Sequence, residues 1–540
     1  MKLAIEPIPV SMEELEKLVE RTRQERLEEP DYRKLKAAVH TLGEVAELLA
    51  DQDATIRQLR ALLGLRSTEK TKEVLRQAGL EPESKQAGQE AAEASSGEQP
   101  KPRGPRRGHG RNGAGAFEGA KKVEVAHPEL KRGDRCPECG KGKVYPQKEP
   151  KVLVRIVGQP PIDATVYELD RLRCNLCEQV FTAPEPEGVG PEKYDETVGS
   201  MIGQLKYGSG MPFNRLEGLE QRLGIPLPAS TQWEIAEEVA ELIQPAQEEL
   251  IRQAAQGEVV HNDDTSMKVL HLERPPGDER TGVFTSGIVS VEQGRRIALF
   301  FTGRRHAGEN LAEVLKRRAA ELGPPIQMCD ALSRNAPKLA EGVEILLANC
   351  LTHGRRRFVE VTPSFPAQCR YVLETLGAVY HNDALARERA LSPEERLRFH
   401  QEHSGPLMEG LHGWLTAQLA EKKTEPNSGL GKAITYLLHH WRKLTLFLRQ
   451  AGAPLDNNVC ERALKKAVLH RKNALFYRTL NGAQVGDLFM SLIHTCELNG
   501  ANSFDYLVEL QRHAVELAAN PSQWMPWNYR DTLARGGGLA

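Results

Sequence analysis

The sequence predicts an α/β protein: a mixed sheet with helices on its faces, preceded by a helical N-terminus and a cysteine-knuckled module. Three observations carry this. Between Glu258 and Cys350, β-type and helical runs follow the order β-β-β-α-β-α-β. Ahead of them stand two CxxC pairs, Cys136-Pro137-Glu138-Cys139 and Cys174-Asn175-Leu176-Cys177. Leu35 to Leu63 keeps a 3-4 apolar spacing through four heptads.

Bulk properties narrow the class. A chain of 540 residues is too long for one core, so several units are expected. Lys and Arg number 72 against 74 acids, a net charge of −2, so any polyanion-binding surface must be local. No apolar run reaches the ~18 residues that span a bilayer. Met1 to Val10 lacks the apolar core of a secretory signal. Nine cysteines, four of them in CxxC pairs, suit a metal site in a reducing compartment and exclude a disulfide framework. A cytoplasmic protein is expected.

Residues 1–79 are expected to be helical. Ser11-Met12-Glu13-Glu14 fits a capping box. The heptads from Leu35 suggest a dimerising coiled coil, weakened at Asp53 and Arg60; an amphipathic helix packed on its own domain shares the pattern. Residues 80–118 form a polar, Gly- and Pro-rich linker expected to be disordered. Its stretch KPRGPRRGHGRNG has five Lys or Arg and no acid, as suits nonspecific phosphate contact or simple solvation. In 119–190, Cys136, Cys139, Cys174 and Cys177 can close a tetrahedron of thiolates around structural Zn2+. Gly133 and Gly140 supply turns there. VLVRIVGQPP and ATVYELDRLRC look like the strands of a zinc ribbon; a redox role is the weaker alternative. Residues 191–256 are expected to be helical. Phe213 to Leu223, the Gly224-Ile225-Pro226 break and a helix capped by Thr231 with Glu234 resemble a helix-turn-helix, although any helix pair shares that pattern.

The sheet occupies 257–361: VVHND, GVFTSGIVSV and RRIALFFTG as strands, Asn310 to Leu322 as a helix, IQMCD as a strand, Ala336 to Gly342 as a short helix and VEILLANC as the last strand. Residues 362–453 read as a helical insertion, with helices over Pro366 to Tyr380, Pro393 to His403, Met408 to Leu419 and Gly431 to Gln450. A helix bearing Glu461 follows within 454–500. The tail, 501–540, is expected to dock on the core through Trp524 and Trp527.

The chemistry centres on three acids. Asp263 closes the first strand and Asp330 the fourth, so both can point into one crevice at the rim of the sheet. Glu461 is the one acid in a stretch, Glu461 to Arg478, that holds six Lys or Arg. A lone carboxylate in a phosphate-binding surface is repelled by its ligand unless a metal ion stands between them. Two Asp and one Glu can hold a pair of Mg2+ (or Mn2+) ions. His353 and Arg356, one helical turn apart, and Arg471 and Lys472 are the basic residues placed to meet DNA phosphates, or else form solvated helix faces. Asp264 can replace Asp263 as the metal-facing acid. Asp330 can serve as a helix N-cap, and Glu461 can pair with Asn458 as a cap or with Lys465.

The element order, with acids at these points, resembles the ribonuclease-H fold of DDE polynucleotidyl transferases. Five strings resemble the insertion-sequence-66 family of bacterial transposases: His261-Asn262-Asp263-Asp264-Thr265; Asn349-Cys350-Leu351-Thr352-His353 with Gly354-Arg355-Arg356-Arg357-Phe358; Leu455-Asp456-Asn457-Asn458 with Glu461-Arg462-Ala463; His470-Arg471-Lys472-Asn473 with Leu475-Phe476; and Trp524-Met525-Pro526-Trp527-Asn528. The resemblance covers nearly the whole chain. It implies a DNA transposase whose catalytic triad is Asp263, Asp330 and Glu461, using two divalent ions. It further implies double-stranded DNA partners (terminal repeats and target), a homodimer or larger assembly on DNA, small accessory proteins and a nucleoid-associated location. Two departures stand out. Asp264 occupies the place of the family's usual Glu, and Ala331-Leu332-Ser333-Arg334-Asn335 follows Asp330 where Gly-Tyr is usual. A nuclease that only hydrolyses, or a decayed DNA-binding regulator, are the alternatives.

Overall fold

The computed structural model of the chain describes residues 70–78, 128–145, 161–173, 180–189, 192–272, 280–339 and 344–536. The coiled coil, the Ser11 capping box and the basic linker lie outside them, as do Cys174 and Cys177. The chain divides into two compact units, 84–163 and the remainder.

In the smaller unit the first cysteine pair sits in a tight knuckle. Cys136 N donates to Gly142 O at 2.8 Å, and Gly140 N to Cys136 O at 2.9 Å. Gly133 and Gly140 both take positive φ, the turn role their positions predict. Only the last proline of VLVRIVGQPP falls within the described residues.

The larger unit begins with α1 (Thr71–Gln77). Strands β1 (Arg171–Arg173) and β2 (Val180–Thr182) pair antiparallel and bracket the second cysteine pair in sequence. The longer strand expected over ATVYELDRLRC shrinks to β1. Next come α2 (Glu196–Gly203), a π-helical turn, α3 (Phe213–Arg222) and α4 (Ala229–Ala254). Thr231 does not cap α4. Pro228 stands before it with φ −58° and ψ 148°, and its carbonyl accepts Gln232 N, so the helix starts before Thr231.

The central sheet contains β3 (Val259–Ser266), β5 (Phe284–Glu292), β6 (Arg295–Gly303), β7 (Ile326–Cys329) and β8 (Leu346–Asn349), in the order β6-β5-β3-β7-β8. A short β4 (Val269–His271) branches off β3, and α5 (Ala307–Leu315) follows β6. β3, β5 and β6 run antiparallel; β7 and β8 run parallel to β3. Gln293 and Gly294, both at positive φ, make the β5–β6 turn. The helix expected over Ala336 to Gly342 is absent from its described part; a single 3-10 turn, Ser333–Asn335, precedes it. Side chains of that turn are tied to β3 and to Asp330, which holds the segment irregular.

Helices α6 (Leu351–Val361), α7 (Pro366–Glu388), α8 (Pro393–His403), α9 (Gly405–Ala420) and α10 (Gly429–Leu444) follow β8. The apolar faces of α6, α7, α9 and α10 join one core with Met328 and Ala348 of the sheet, through Phe358, Leu376, Leu411 and Leu437. Each fully buried side chain of this kind contributes about 1.5–3 kcal/mol. The chain then returns as α11 (Asn458–Ala474), β9 (Tyr477–Thr479, parallel to β4), α12 (Leu480–Leu498), α13 (Ser503–Arg512), α14 (Ala514–Ala519) and α15 (Tyr529–Gly536). In the tail, Trp524 is buried and stacks on His513 of the same segment at 4.8 Å, while the Arg295 guanidinium of β6 lies 5.5 Å from the centre of the Trp527 ring.

Helix α12 closes the exposed edge of β6. Asp487, Ser491, Thr495 and Asn499 accept from the backbone N–H groups of Thr302, Phe300, Ala298 and Arg296 at 2.5 to 3.2 Å. Four helical residues climb about 6 Å and two strand residues about 6.8 Å, so every fourth side chain meets every second amide.

Helix α11 lies against β3 and β5 because Gly287 leaves room for it. A Cβ there would come within 3.0 Å of Leu464, and Cys460 Sγ donates to Gly287 O at 3.3 Å. Gly287→Val should therefore lift α11 from β5 and cost about 1–3 kcal/mol, read from the urea unfolding midpoint. Unchanged stability would remove this account of the close approach.

Candidate active site

Side chains alternate across β3. His261 and Asp263 face α11, while Asn262 and Asp264 face the side of α5. The β3–β7 register pairs His261 with Met328, and two further steps set Asp263 beside Asp330. The two carboxylates share one donor: Asn335 Nδ2 reaches Asp263 Oδ1 at 3.0 Å and Asp330 Oδ1 at 2.6 Å. Asp263 Oδ1 also accepts from Asp264 N at 2.8 Å, and Asp330 Oδ1 from Leu332 N at 3.0 Å. Burial, and then the charge of Asp330, push the Asp263 carboxyl up to about 6.

Asn335 is fixed from behind. Asn262 Nδ2 and Gln327 Nε2 both donate to its backbone carbonyl oxygen, at 2.8 and 2.7 Å, and Gln327 Nε2 also donates to Asn262 Oδ1 at 2.7 Å. All three side chains are buried. Asp264 is equally buried but turned away. It meets His306 Nδ1 at 2.8 Å and the Arg334 guanidinium at 3.4 Å. That geometry gives Asp264 a partnered, structural position and leaves Asp263 facing Asp330.

Glu461 lies in the first turn of α11, which Asn457 anchors. Asn457 Nδ2 donates to Asn262 O at 3.1 Å, its Oδ1 faces His261 Nδ1 at 3.1 Å, and its backbone N donates to Cys350 Sγ at 3.3 Å. Spent on β3, the Asn457 side chain makes no cap bond to its own helix. Asn458 is the first helical residue, so the Asn458–Glu461 capping pair is not formed. Among the described residues Glu461 makes no ion pair with Lys465. Glu461 Oε1 is buried without a hydrogen-bond partner, 3.7 Å from His353 Nε2.

The structure thus brings Asp263 and Asp330 together and sets Glu461 nearby, on the helix facing them. Cys460, between them, has its thiol pushed far up by burial and by the charges of Asp263 and Glu461. Asp263, Asp330 and Glu461 do not converge as tightly as Glu461 does with Cys350 and His353, whose ligand atoms lie within 4.8 Å of one another. Two crowded carboxylates and an orphaned carboxylate oxygen are a donor set that fits a hard divalent cation.

The basic residues divide. His353 turns toward Glu461. Arg356 is half-buried one turn further along α6, and Lys472 is exposed. Arg471 is engaged within the fold: its guanidinium donates to Thr265 Oγ1 at 2.9 Å, to Ser266 Oγ at 2.8 Å and to Ser266 O. It clamps the end of β3 to α11. Asn335 and Cys350 carry roles that residue type alone did not signal, and Asn457 stood only inside a motif string.

Comparison with known proteins supplies the family context of this site. A family model described as the transposase IS66 family matches residues 193–485, a span that holds all three acids and the helical insertion. An uncharacterized protein of Sinorhizobium fredii, y4jD, is 27% identical over 381 residues, covering 67% of this chain and 71% of its own length. A second from the same organism, y4hP, is 25% identical over 387 residues, 68% of each.

A carboxyl raised from its ordinary value stabilises the fold while protonated. That contribution is complete below the unfolded value near 4 and is lost as pH rises through about 6. Asp263→Asn should therefore exceed the wild type in stability by about 1–3 kcal/mol at pH 8 and by little at pH 4. Guanidinium unfolding at the two pH values checks this; equal differences at both would contradict like-charge crowding.

Proposed function

The chain belongs to the transposase IS66 family, and on that footing we propose that it is a DDE-type DNA transposase, cutting at transposon ends and joining them to target DNA. The observation that carries the reading is the single Asn335 amide shared by Asp263 and Asp330 on adjacent strand ends, with Glu461 Oε1 unpartnered on the facing helix. The sheet order, three antiparallel strands followed by two parallel ones, supports a ribonuclease-H-like core.

Asp263, Asp330 and Glu461 are the residues that would hold the metal, a pair of Mg2+ or Mn2+ ions. Such ions, when bound, polarise the phosphodiester and stabilise charge on the attacking and leaving oxygens. The residues of the chain prepare the place. Asn335 sets the spacing of the two aspartates, Asn457 sets the register of the Glu461 helix, and the buried Asn262–Gln327 pair holds the Asn335 backbone. Arg356 and Lys472 supply positive charge for the DNA backbone, and His353 lies at the same rim. Arg471 positions these groups by holding β3 against α11. In the first step a water oxygen bonds to phosphorus at the transposon end, and the bond to the 3′ oxygen breaks, freeing a 3′-hydroxyl. In the second, that 3′ oxygen bonds to a target phosphorus and displaces a target 3′ oxygen in line.

Cys136 and Cys139, with Cys174 and Cys177, are read as ligands of a structural Zn2+. Support comes from the first knuckle itself: Gly142 N donates to Cys139 Sγ at 3.4 Å, and that amide bond holds the thiol below its ordinary pKa, favouring thiolate. Double-stranded terminal repeats and target DNA, assembly as a homodimer or larger on DNA, accessory proteins of the element, and a cytoplasmic, nucleoid-associated location belong to the same reading. No helix among the described residues is long and apolar enough to cross a membrane.

The test mixes the protein with pre-cleaved end duplex, plasmid target and Mg2+. Joined products are expected, abolished by Asp330→Asn and by Glu461→Gln. Asn335→Ala, which leaves every acid in place, should cost about 10–100-fold. Hydrolysis without joining would identify a nuclease. Cellular activity that survives both acid substitutions would identify a DNA-binding regulator.

A further inference from the structure

Among the described residues one group of three metal-binding side chains converges, and it is not the expected trio of acids. Cys350 Sγ, a ring nitrogen of His353 and a carboxylate oxygen of Glu461 all lie within 4.8 Å of one another. Cys350 is fully buried immediately before α6, where its sulfur accepts from Asn457 N at 3.3 Å and from the His353 backbone. Burial pushes this thiol up and the two amide donors offset that only in part, so the sulfur becomes a thiolate only when a cation takes the place of its proton. His353 is one helical turn along, and its Nε2 stands 3.7 Å from Glu461 Oε1. That oxygen is buried and accepts no hydrogen bond.

The donor set selects the ion. One sulfur, one nitrogen and one oxygen are poor ligands for Mg2+, which takes oxygen and keeps its waters, and good ones for Zn2+ and its late first-row neighbours. Tetrahedral zinc with nitrogen and oxygen at about 2.0–2.1 Å holds those two atoms roughly 3.3 Å apart, so the observed pair needs to close by only about 0.4 Å. Three protein ligands leave the fourth position open to water or a phosphate oxygen. On binding, the metal–sulfur bond forms and the thiol proton passes to solvent.

We propose that Cys350, His353 and Glu461 form a second, softer metal site that takes Zn2+ and, by claiming Glu461, inhibits the carboxylate centre. The binding half stands on this geometry alone; the inhibitory half rests on the transposase reading.

The experiment uses the full chain saturated with Zn2+, dialysed against trace free zinc, with bound metal counted per chain. Zinc held by the CxxC cysteines contributes equally to every variant, so only differences count. The wild type should hold one equivalent more than Cys350→Ser and than His353→Gln. Co2+ in place of Zn2+ should give a sulfur-to-cobalt charge-transfer band that weakens in Cys350→Ser by the share of one thiolate. Equal metal content in all three proteins overturns the site. If Cys350→Ser fails to fold by circular dichroism, the half-buried His353→Gln carries the comparison. Added Zn2+ should then depress Mg2+-supported strand transfer by about tenfold in the wild type and far less in Cys350→Ser. Equal inhibition of both overturns the inhibitory half. Failure of every strand-transfer assay would strike at the transposase reading, while the zinc count still decides the site.

Discussion

Two negative charges held side by side at the rim of a sheet are the constraint on which the rest of this protein turns. Unassisted, Asp263 and Asp330 repel, and burial raises the cost of ionising Asp263. The chain offsets part of that cost with backbone donors, Asp264 N on Asp263 and Leu332 N on Asp330, and with one amide, Asn335, that serves both. A bridging amide is useful only if its backbone stays in place, hence the buried Asn262 and Gln327 on the Asn335 main-chain carbonyl. The same demand explains the irregular 331–336 segment: a regular helix there would bury its donors in its own backbone. It also explains why Asp264, one residue from Asp263, is consigned to His306 and Arg334 on the opposite face.

Delivering Glu461 to this rim is a problem of chain length. The polypeptide leaves the sheet at β8, builds five helices and returns only at Asp456. Positional error accumulates over such a detour unless the return is indexed against the sheet. Asn457 does the indexing with both ends of its amide and its own N–H, tying α11 to β3 and to Cys350 in one step. Gly287 lets the helix approach, and Arg471 ties down its far end. The insertion contributes a shared core with β7 and β8, so the detour itself stiffens the strand that carries Asp330.

Much of this was legible in the sequence, and the reasons are physical. Arg295–Gly303 was predicted with its observed bounds because a two-residue turn with positive φ sets one end and glycine ends the other. Pro393–His403 was likewise predicted to the residue: Ser392 and Glu395 make a reciprocal capping box, a signal written within four positions. The errors share a cause too. Thr231 looked like a cap, but Pro228 already had the φ that begins a helix. Ala336 to Gly342 looked helical because local propensity knows nothing of a bond between Asn335 and a strand far earlier in the chain. Arg471, read from its basic run as a phosphate ligand, also bonds Thr265 and Ser266, a clamping role the run does not signal because those residues are distant in sequence. Local grammar predicts elements, whereas the pairing of polar groups across the fold becomes visible only when they meet.

The ladder between α12 and β6 bears on how the molecule is made. β6 emerges from the ribosome with its outer amides bare, and the side chains that satisfy them arrive nearly two hundred residues later. Until then the nascent sheet has an open edge able to recruit a strand from any neighbour. A copy cut short before Asp487, by a premature stop or a frameshift, would keep its three acids yet never close that edge. The last tenth of the chain therefore does for the sheet what a further strand would do: it takes up the outer amides of β6.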